Sequence, residues 1–178
     1  MRGSGKIIWI CGLSGAGKST LAYAIINLMR ARSLPVVMFD GDELREVFGA
    51  TESCRDNHGR DARLQLAMKY ARLCRLVANQ GMHVVIATIS LFHEVHSWNR
   101  NNLENYFEIY LKVPMEELRR RDPKKIYSKF DAGEITNVAG LDLTIDEPRA
   151  ADWVIEFKSN QSFDLIAHQL MSKQFNQE

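Results

Sequence analysis

The chain has three cysteines in 178 residues, Cys11, Cys54 and Cys74, an odd number without the paired spacing of a metal site. They read as reduced thiols. No apolar stretch reaches membrane-spanning length and no signal-type apolar region stands near the N-terminus, so the expected location is cytoplasmic. Net charge is also lacking: Lys and Arg total 23 against 22 for Asp and Glu, a formal charge of +1. That balance gives no global electrostatic case for a nucleic-acid or membrane partner. No repeat, low-complexity tract or linker interrupts the sequence, and His83, His93 and His168 lack ligand-like spacing, so no structural metal is expected. At 46% hydrophobic over 178 residues the chain can bury one good core, which predicts a single domain over 1–178. Met1 to Ser4 are set aside from the fold reading.

What is present is the stretch Gly12-Leu13-Ser14-Gly15-Ala16-Gly17-Lys18-Ser19-Thr20, placed between a strand-like run (Ile7, Ile8, Trp9, Ile10) and a helix-like run from Leu21 to Met29. Glycines at this spacing let the backbone curl so that several N–H groups face one phosphate chain. Lys18 then reaches the β- and γ-phosphates as a mobile point charge, and the Ser19 hydroxyl is placed to hold Mg²⁺. The helix beginning near Lys18 adds its positive dipole end to the same spot. The stretch therefore predicts binding of ATP or a similar triphosphate, with Mg²⁺.

Apolar runs at Ile7–Ile10, Val36–Phe39, His83–Thr88, Phe107–Val113 and Trp153–Phe157 read as buried parallel strands separated by helices. Leu66, Tyr70, Leu73 and Val77 recur at helical spacing, with Gly81 as a C-terminal stop. Pro114 fits the first turn of a short helix carrying Glu116 to Arg121, and a last helix is expected from about Ser162 to Phe175. The expected class is α/β: a three-layer αβα fold of the phosphate-loop type around a central, mostly parallel five-stranded sheet. Two stretches break the alternation, Gly49–Gly59 and a charged segment at about 122–148. Loops of that length usually cover a site, and the second reads as a lid that excludes water during phosphoryl transfer.

Phosphate loops serve motors, switches and small-molecule kinases, so the discriminating residues lie elsewhere. The third strand continues into Ile89 and Ser90 without the terminal Asp of many ATPase motors, and there is no Asn-Lys-x-Asp guanine-reading motif. Both absences favour a kinase. The second strand ends in Phe39-Asp40-Gly41-Asp42, where a carboxylate at the C-terminal edge faces the ligand crevice. Asp40 is read as the group that orients or deprotonates an acceptor hydroxyl, and Asp42 as the cap of a helix starting around Glu43. Arg45 and Arg63 offer guanidinium forks that suit phosphate or sulfate oxygens.

Taken with Arg45, Ile89-Ser90, Arg121-Asp122-Pro123-Lys124 and Ala132-Gly133-Glu134-Ile135, these motifs resemble the adenylylsulfate kinase family over about residues 6–157. The resemblance implies transfer of the γ-phosphoryl of ATP to the ribose 3′-hydroxyl of a nucleotide, by default adenosine 5′-phosphosulfate. It implies ATP contacts at Gly12, Ser14, Gly15, Ala16, Gly17, Lys18, Ser19, Thr20, Arg121 and Lys124, with Mg²⁺ at Ser19. Asp40 and Lys18 would be catalytic. Acceptor contacts would fall at Asp42, Arg45, His58, Arg63, Ile89, Ser90, Lys129, Asn137 and Val138. Similar enzymes often form homodimers, although no exposed apolar stripe assigns an interface here.

The departures from the family pattern gather on the acceptor side. Leu66 stands where an Asn is usual, His58 replaces an aromatic, Leu91 replaces a Pro, and an expected arginine is His96. In the lid, the family's Asn-Phe-Thr-Gly reads Asn137-Val138-Ala139-Gly140, and valine offers no ring to stack on the acceptor base. The donor half is intact while the acceptor half is altered, which opens a second reading: the same reaction on another nucleotide such as cytidine 5′-diphosphoramidate. A non-catalytic ATP-binding module and a kinase of non-nucleotide metabolites such as sugar acids stand behind these two.

Overall fold

In the computed structural model, which describes residues 3–50 and 59–175, strand β1 (Ile7–Gly12) is buried along its whole length. A strand apolar on both faces needs cover on both, and its neighbours supply it. β1 lies between β3 (His83–Thr88) and β4 (Tyr106–Lys112), with β2 (Val36–Asp40) beyond β3 and β5 (Trp153–Glu156) beyond β4. Every pairing is parallel, so the expected "mostly parallel" sheet is parallel throughout its described strands.

Side chains alternate across the sheet. Ile8 and Ile10 point into one core layer with Leu21, Ile25 and Ile26 of α1 (Lys18–Ala31) and Leu170 and Met171 of α7 (Phe163–Phe175). Ile7, Trp9 and Cys11 enter the other layer, where Tyr70, Ala71 and Cys74 of α3 (Arg60–Ala78) and Val95 of α4 (His93–Asn102) meet them. The result is the three-layer arrangement that the alternating pattern predicts. β3 has its expected limits, and the other four strands differ from theirs by one or two residues at one or both ends.

Three elements differ from expectation. Helix α2 (Gly41–Val47) begins two residues before Glu43, because Asp40 rather than Asp42 is its cap. Asp40 is extended at φ −102 and its carboxylate accepts the Asp42 N–H at 2.9 Å, whereas Asp42 lies within the first turn. Second, segment 122–148 is not simply a loop. It follows α5 (Met115–Arg121) and contains α6 (Ile126–Asp131) and a bridge between Ala139 and Leu143.

The third is α4, which has few apolar residues and buries two polar ones, His96 and Asn99, beside Val95. Buried His96 pairs with Glu108 of β4, itself 1% exposed. Tyr106 donates its hydroxyl to Glu108 at 3.0 Å and Arg100 lies 3.5 Å from it. Arg100 also pairs at 2.6 Å with Asp152, which accepts the Glu108 backbone N–H at 2.7 Å. A buried carboxylate is tolerable only when paired this fully, and the network ties α4, β4 and the approach to β5 together. Among the described residues, no helix is long and apolar enough to cross a membrane, and Cys11 and Cys74 are buried free thiols. The third cysteine, Cys54, lies outside the described residues.

Candidate active site

The C-terminal ends of β1, β2 and β3 open into a cleft of about 1460 Å³. At its floor, the segment after β1 turns through Gly15 (φ 78) and Gly17 (φ 96) into the N-terminus of α1. No side chain caps α1 and no acidic residue occupies its first turn, so its leading N–H groups and dipole face the cleft unopposed. Glycine suits position 17 on two counts. Its φ is left-handed, and a Cβ there would stand 2.5 Å from Cζ of Phe163, the first residue of α7.

Lys18 donates to the Leu13 carbonyl at 2.8 Å, which folds the side chain back over the loop. Burial, and next the ammonium of Lys124, push its pKa down to about 8. The Ser19 hydroxyl donates to Oδ2 of Asp40 at 2.6 Å. Asp40 thus uses one oxygen to cap α2 and the other to meet the phosphate loop.

Asp42, one residue into α2, lies 3.1 Å from Arg45 and takes the ammonium of Lys124 from the opposite wall. Burial acts to raise its pKa, but Lys124, Arg45 and Lys18 outweigh this and hold the carboxyl below its usual range. Arg63 of α3 donates to the Asn137 carbonyl at 2.7 Å. Burial and then the neighbouring Arg45 lower the pKa of Arg63, which marks two guanidinium groups sharing one partly desolvated region. The described lining of the cleft holds seven cationic side chains (Lys18, Arg45, Arg63, Lys69, Arg121, Lys124, Lys129) and three carboxylates (Asp40, Asp42, Glu134). A chain of formal charge +1 thus concentrates its positive potential in one cavity, which suits polyanionic ligands.

Segment 122–148 forms the outer wall. Asp122 (φ 25) ends α5 and accepts the Ser128 hydroxyl at 2.6 Å and its N–H at 2.9 Å, which folds α6 back against α5. Tyr127, 1% exposed, then donates its hydroxyl to the Ser14 carbonyl at 2.9 Å. Arg121 lies 3.3 Å from the Gly15 carbonyl and stacks over Phe157 at 4.8 Å. Further along, the Asp142 carboxylate accepts the N–H groups of Asn137 at 2.7 Å and Val138 at 2.6 Å, fixing a turn in which Asn137 has φ 61.

The predicted residues converge. Ser14, Gly15, Gly17, Lys18, Ser19 and Thr20 line the cleft with Arg121 and Lys124; so do Asp40, Asp42, Arg45, Arg63, Ile89, Ser90, Lys129, Asn137 and Val138. Gly12 and Ala16 are buried beneath the loop instead. His58 lies outside the described residues, as do the middle residues of the Gly49–Gly59 stretch. His96, at an arginine position of the resemblance, is in the buried network and does not line the cleft. Val138 is only 6% exposed. Sequence reasoning did not pick out Tyr127, Asp142, Phe48 or Phe163, since each lies where no periodicity or motif marks it. It took Tyr70 for ordinary core, yet its hydroxyl donates to the Gly41 carbonyl at 3.1 Å and steadies the start of α2.

A family model described as adenylylsulphate kinase matches residues 4–156. The chain belongs to the adenylylsulphate kinase family. It is similar to the cytidine diphosphoramidate kinase of Campylobacter jejuni, 39% identical over 150 residues that cover 84% of this chain and 85% of that one. It is 31% identical to the adenylyl-sulfate kinase of Pseudomonas aeruginosa over 169 residues, covering 93% and 83%. Among solved structures it resembles the Mycobacterium tuberculosis APS kinase CysC in complex with AMPPNP and APS, with TM-score 0.84, 28% identity, and coverage of 96% and 97%. Within this family the chain is a kinase, a phosphotransferase with an alcohol group as acceptor, and its cleft lies at the strand ends where an α/β sheet binds ligands.

Proposed function

We propose that the protein transfers the γ-phosphoryl group of ATP to the ribose 3′-hydroxyl of a nucleotide that carries a further anionic group. The observation that carries this reading is the position of Asp40, 2.6 Å from Ser19 of the phosphate loop and on the same short helix start as Asp42 and Arg45. In the proposed reaction the triphosphate lies along the loop N–H groups and the N-terminus of α1, with Lys18 at the transferring phosphoryl. Binding frees Oδ2 of Asp40 from the Ser19 hydroxyl. Asp40 then accepts the proton of the acceptor's 3′-hydroxyl while that oxygen bonds to the γ-phosphorus and the bond to the ADP oxygen breaks. Arg45 and Arg63 hold the acceptor's anionic groups, and Arg121, Lys124 and Lys129 bring the lid's charge to the nucleotides.

Ser19 Oγ is a hard oxygen donor beside the phosphate site and fits Mg²⁺ held jointly with the phosphate oxygens. Bound with ATP, the ion neutralises phosphate charge. Segment 122–148 acts as the lid, and the described chain works as one kinase domain.

By family, the default acceptor is adenosine 5′-phosphosulfate. A second reading, cytidine 5′-diphosphoramidate, is favoured by the acceptor wall. Val138 is packed into the core at 6% exposure and presents no ring for a purine, and the relative at 39% identity is a cytidine diphosphoramidate kinase. Steady-state kcat/KM with Mg-ATP and each acceptor decides between them. Turnover of the adenosine compound orders of magnitude below that of the cytidine compound removes the default, and turnover of neither removes the proposed reaction.

A further inference from the structure

Four aromatic side chains line the cleft among the described residues: Phe48, Tyr70, Phe92 and Phe163. Phe163 stands against Gly17, at the donor end. Tyr70 and Phe92 are 3% and 6% exposed and already engaged, Tyr70 through its hydroxyl to the Gly41 carbonyl and Phe92 beneath the Arg60 guanidinium at 5.3 Å. Phe48 differs. It keeps 38% of its surface accessible while lining the cavity.

We propose that the ring of Phe48 is the platform on which the base of the nucleotide acceptor stacks. This deepens the kinase reading above and rests on it.

Three features support the assignment. First, Phe48 follows Arg45 by three positions at the end of α2, so the two share a helix face about 5–6 Å apart. An acceptor whose anionic group meets Arg45 and Arg63 therefore has a ring within reach of its base. Second, the ring is held in place. Tyr70 packs against it with centroids 5.9 Å apart at a 37° tilt, and the Lys69 ammonium stands 5.9 Å from its centre. Stacking on a ring already fixed by neighbours costs little conformational entropy. Third, the adjoining wall is apolar: Ala62, Leu66 and Tyr70, four residues apart, run along the cleft face of α3. A flat base covers such a surface with little demand for hydrogen bonds. Val138, across the cleft, has no ring to share the task.

The position suits a base linked to an anionic group, since Arg45 in the last turn of α2 stands beside the ring while Lys18 lies at the phosphate loop. A phenylalanine that keeps 38% of its surface accessible beside that arginine offers a heterocycle a face to cover.

Initial-rate kinetics with Mg-ATP, and with adenosine 5′-phosphosulfate and cytidine 5′-diphosphoramidate as separate acceptors, test the assignment. Phe48→Ala is expected to raise the KM of the productive acceptor on the order of tenfold while the KM of ATP stays within twofold, about the loss expected for one stacking face. Phe48→Tyr, which keeps the ring, is expected to stay near the wild-type acceptor KM. An unchanged acceptor KM in Phe48→Ala overturns the assignment, and so does an equal rise in the KM of ATP, which would mark the ring as structural support. Those results leave the kinase reading standing, because wild-type turnover is measured alongside. Wild-type protein that phosphorylates neither acceptor overturns both.

Discussion

The Ser19 hydroxyl and the Asp40 carboxylate are hydrogen-bonded at 2.6 Å, so the phosphate loop and the end of β2 are joined directly. The same carboxylate caps α2 through the Asp42 N–H at 2.9 Å. One side chain therefore links the phosphate loop, the start of α2 and the proposed proton transfer, and its substitutions separate these duties.

Asp40→Asn keeps an oxygen for the cap but removes the base. The expected outcome is a kcat lower by about 10²–10⁴, with ATP affinity by calorimetry within severalfold of wild type. Asp40→Ala should add a loss of about 1 kcal/mol in stability from the missing cap. Unchanged turnover in Asp40→Asn would remove Asp40 from the proposed chemistry.

Lys18 has a pKa near 8 in the free protein, lowered by burial and by Lys124. The protonated form meets the triphosphate, and bound phosphate favours that form. Below pH 8 the charge is already present; above it, binding must draw a proton, so kcat/KM for ATP is expected to fall as pH rises through about 8. A pH profile of Lys18→Arg should lack that inflection. In Lys18→Ala, loss of the counter-ion is expected to lower phosphoryl transfer by about 10² or more at every pH.

Gly17→Ala places a methyl group 2.5 Å from the Phe163 ring at φ 96, and both faults act on the same turn. ATP binding by calorimetry should be lost or weakened beyond about a hundredfold. Adding Phe163→Ala relieves the clash but not the backbone strain, so the double variant is expected to recover binding in part. Full recovery would show that the left-handed conformation is not needed.

Tyr127→Phe keeps the buried ring and deletes the bond to the Ser14 carbonyl. The expected cost is about 1 kcal/mol, seen as a Tm lower by roughly 2–4 °C and a severalfold higher KM for ATP. A lower Tm without a change in that KM would separate α6 from the shaping of the loop.

The strands were legible because parallel, doubly covered strands read as continuous apolar runs, and His83–Thr88 has the limits its sequence suggests. The loop and α1 were legible because glycine spacing and Lys18-Ser19 have one physical use. The cap of α2 was misassigned since either carboxylate of Asp40-Gly41-Asp42 can cap a helix, and only the extended backbone of Asp40 decides. α4 escaped detection because His96 and Asn99 are buried polar residues, and apolar periodicity cannot register a face that packs through Glu108 and Tyr106. Tyr127 and Asp142 act across long sequence separations or at single turns. Their partners, Ser14 and the Asn137–Val138 turn, emerge only from the folded chain.

Phe163, which packs against Gly17, belongs to the last helix among the described residues, and both strands that flank β1 also come later in sequence than β1. The glycine turn and the ring that packs on it are therefore far apart in sequence. Completing this turn thus depends on contacts of high sequence separation, the kind whose loop-closure entropy slows folding.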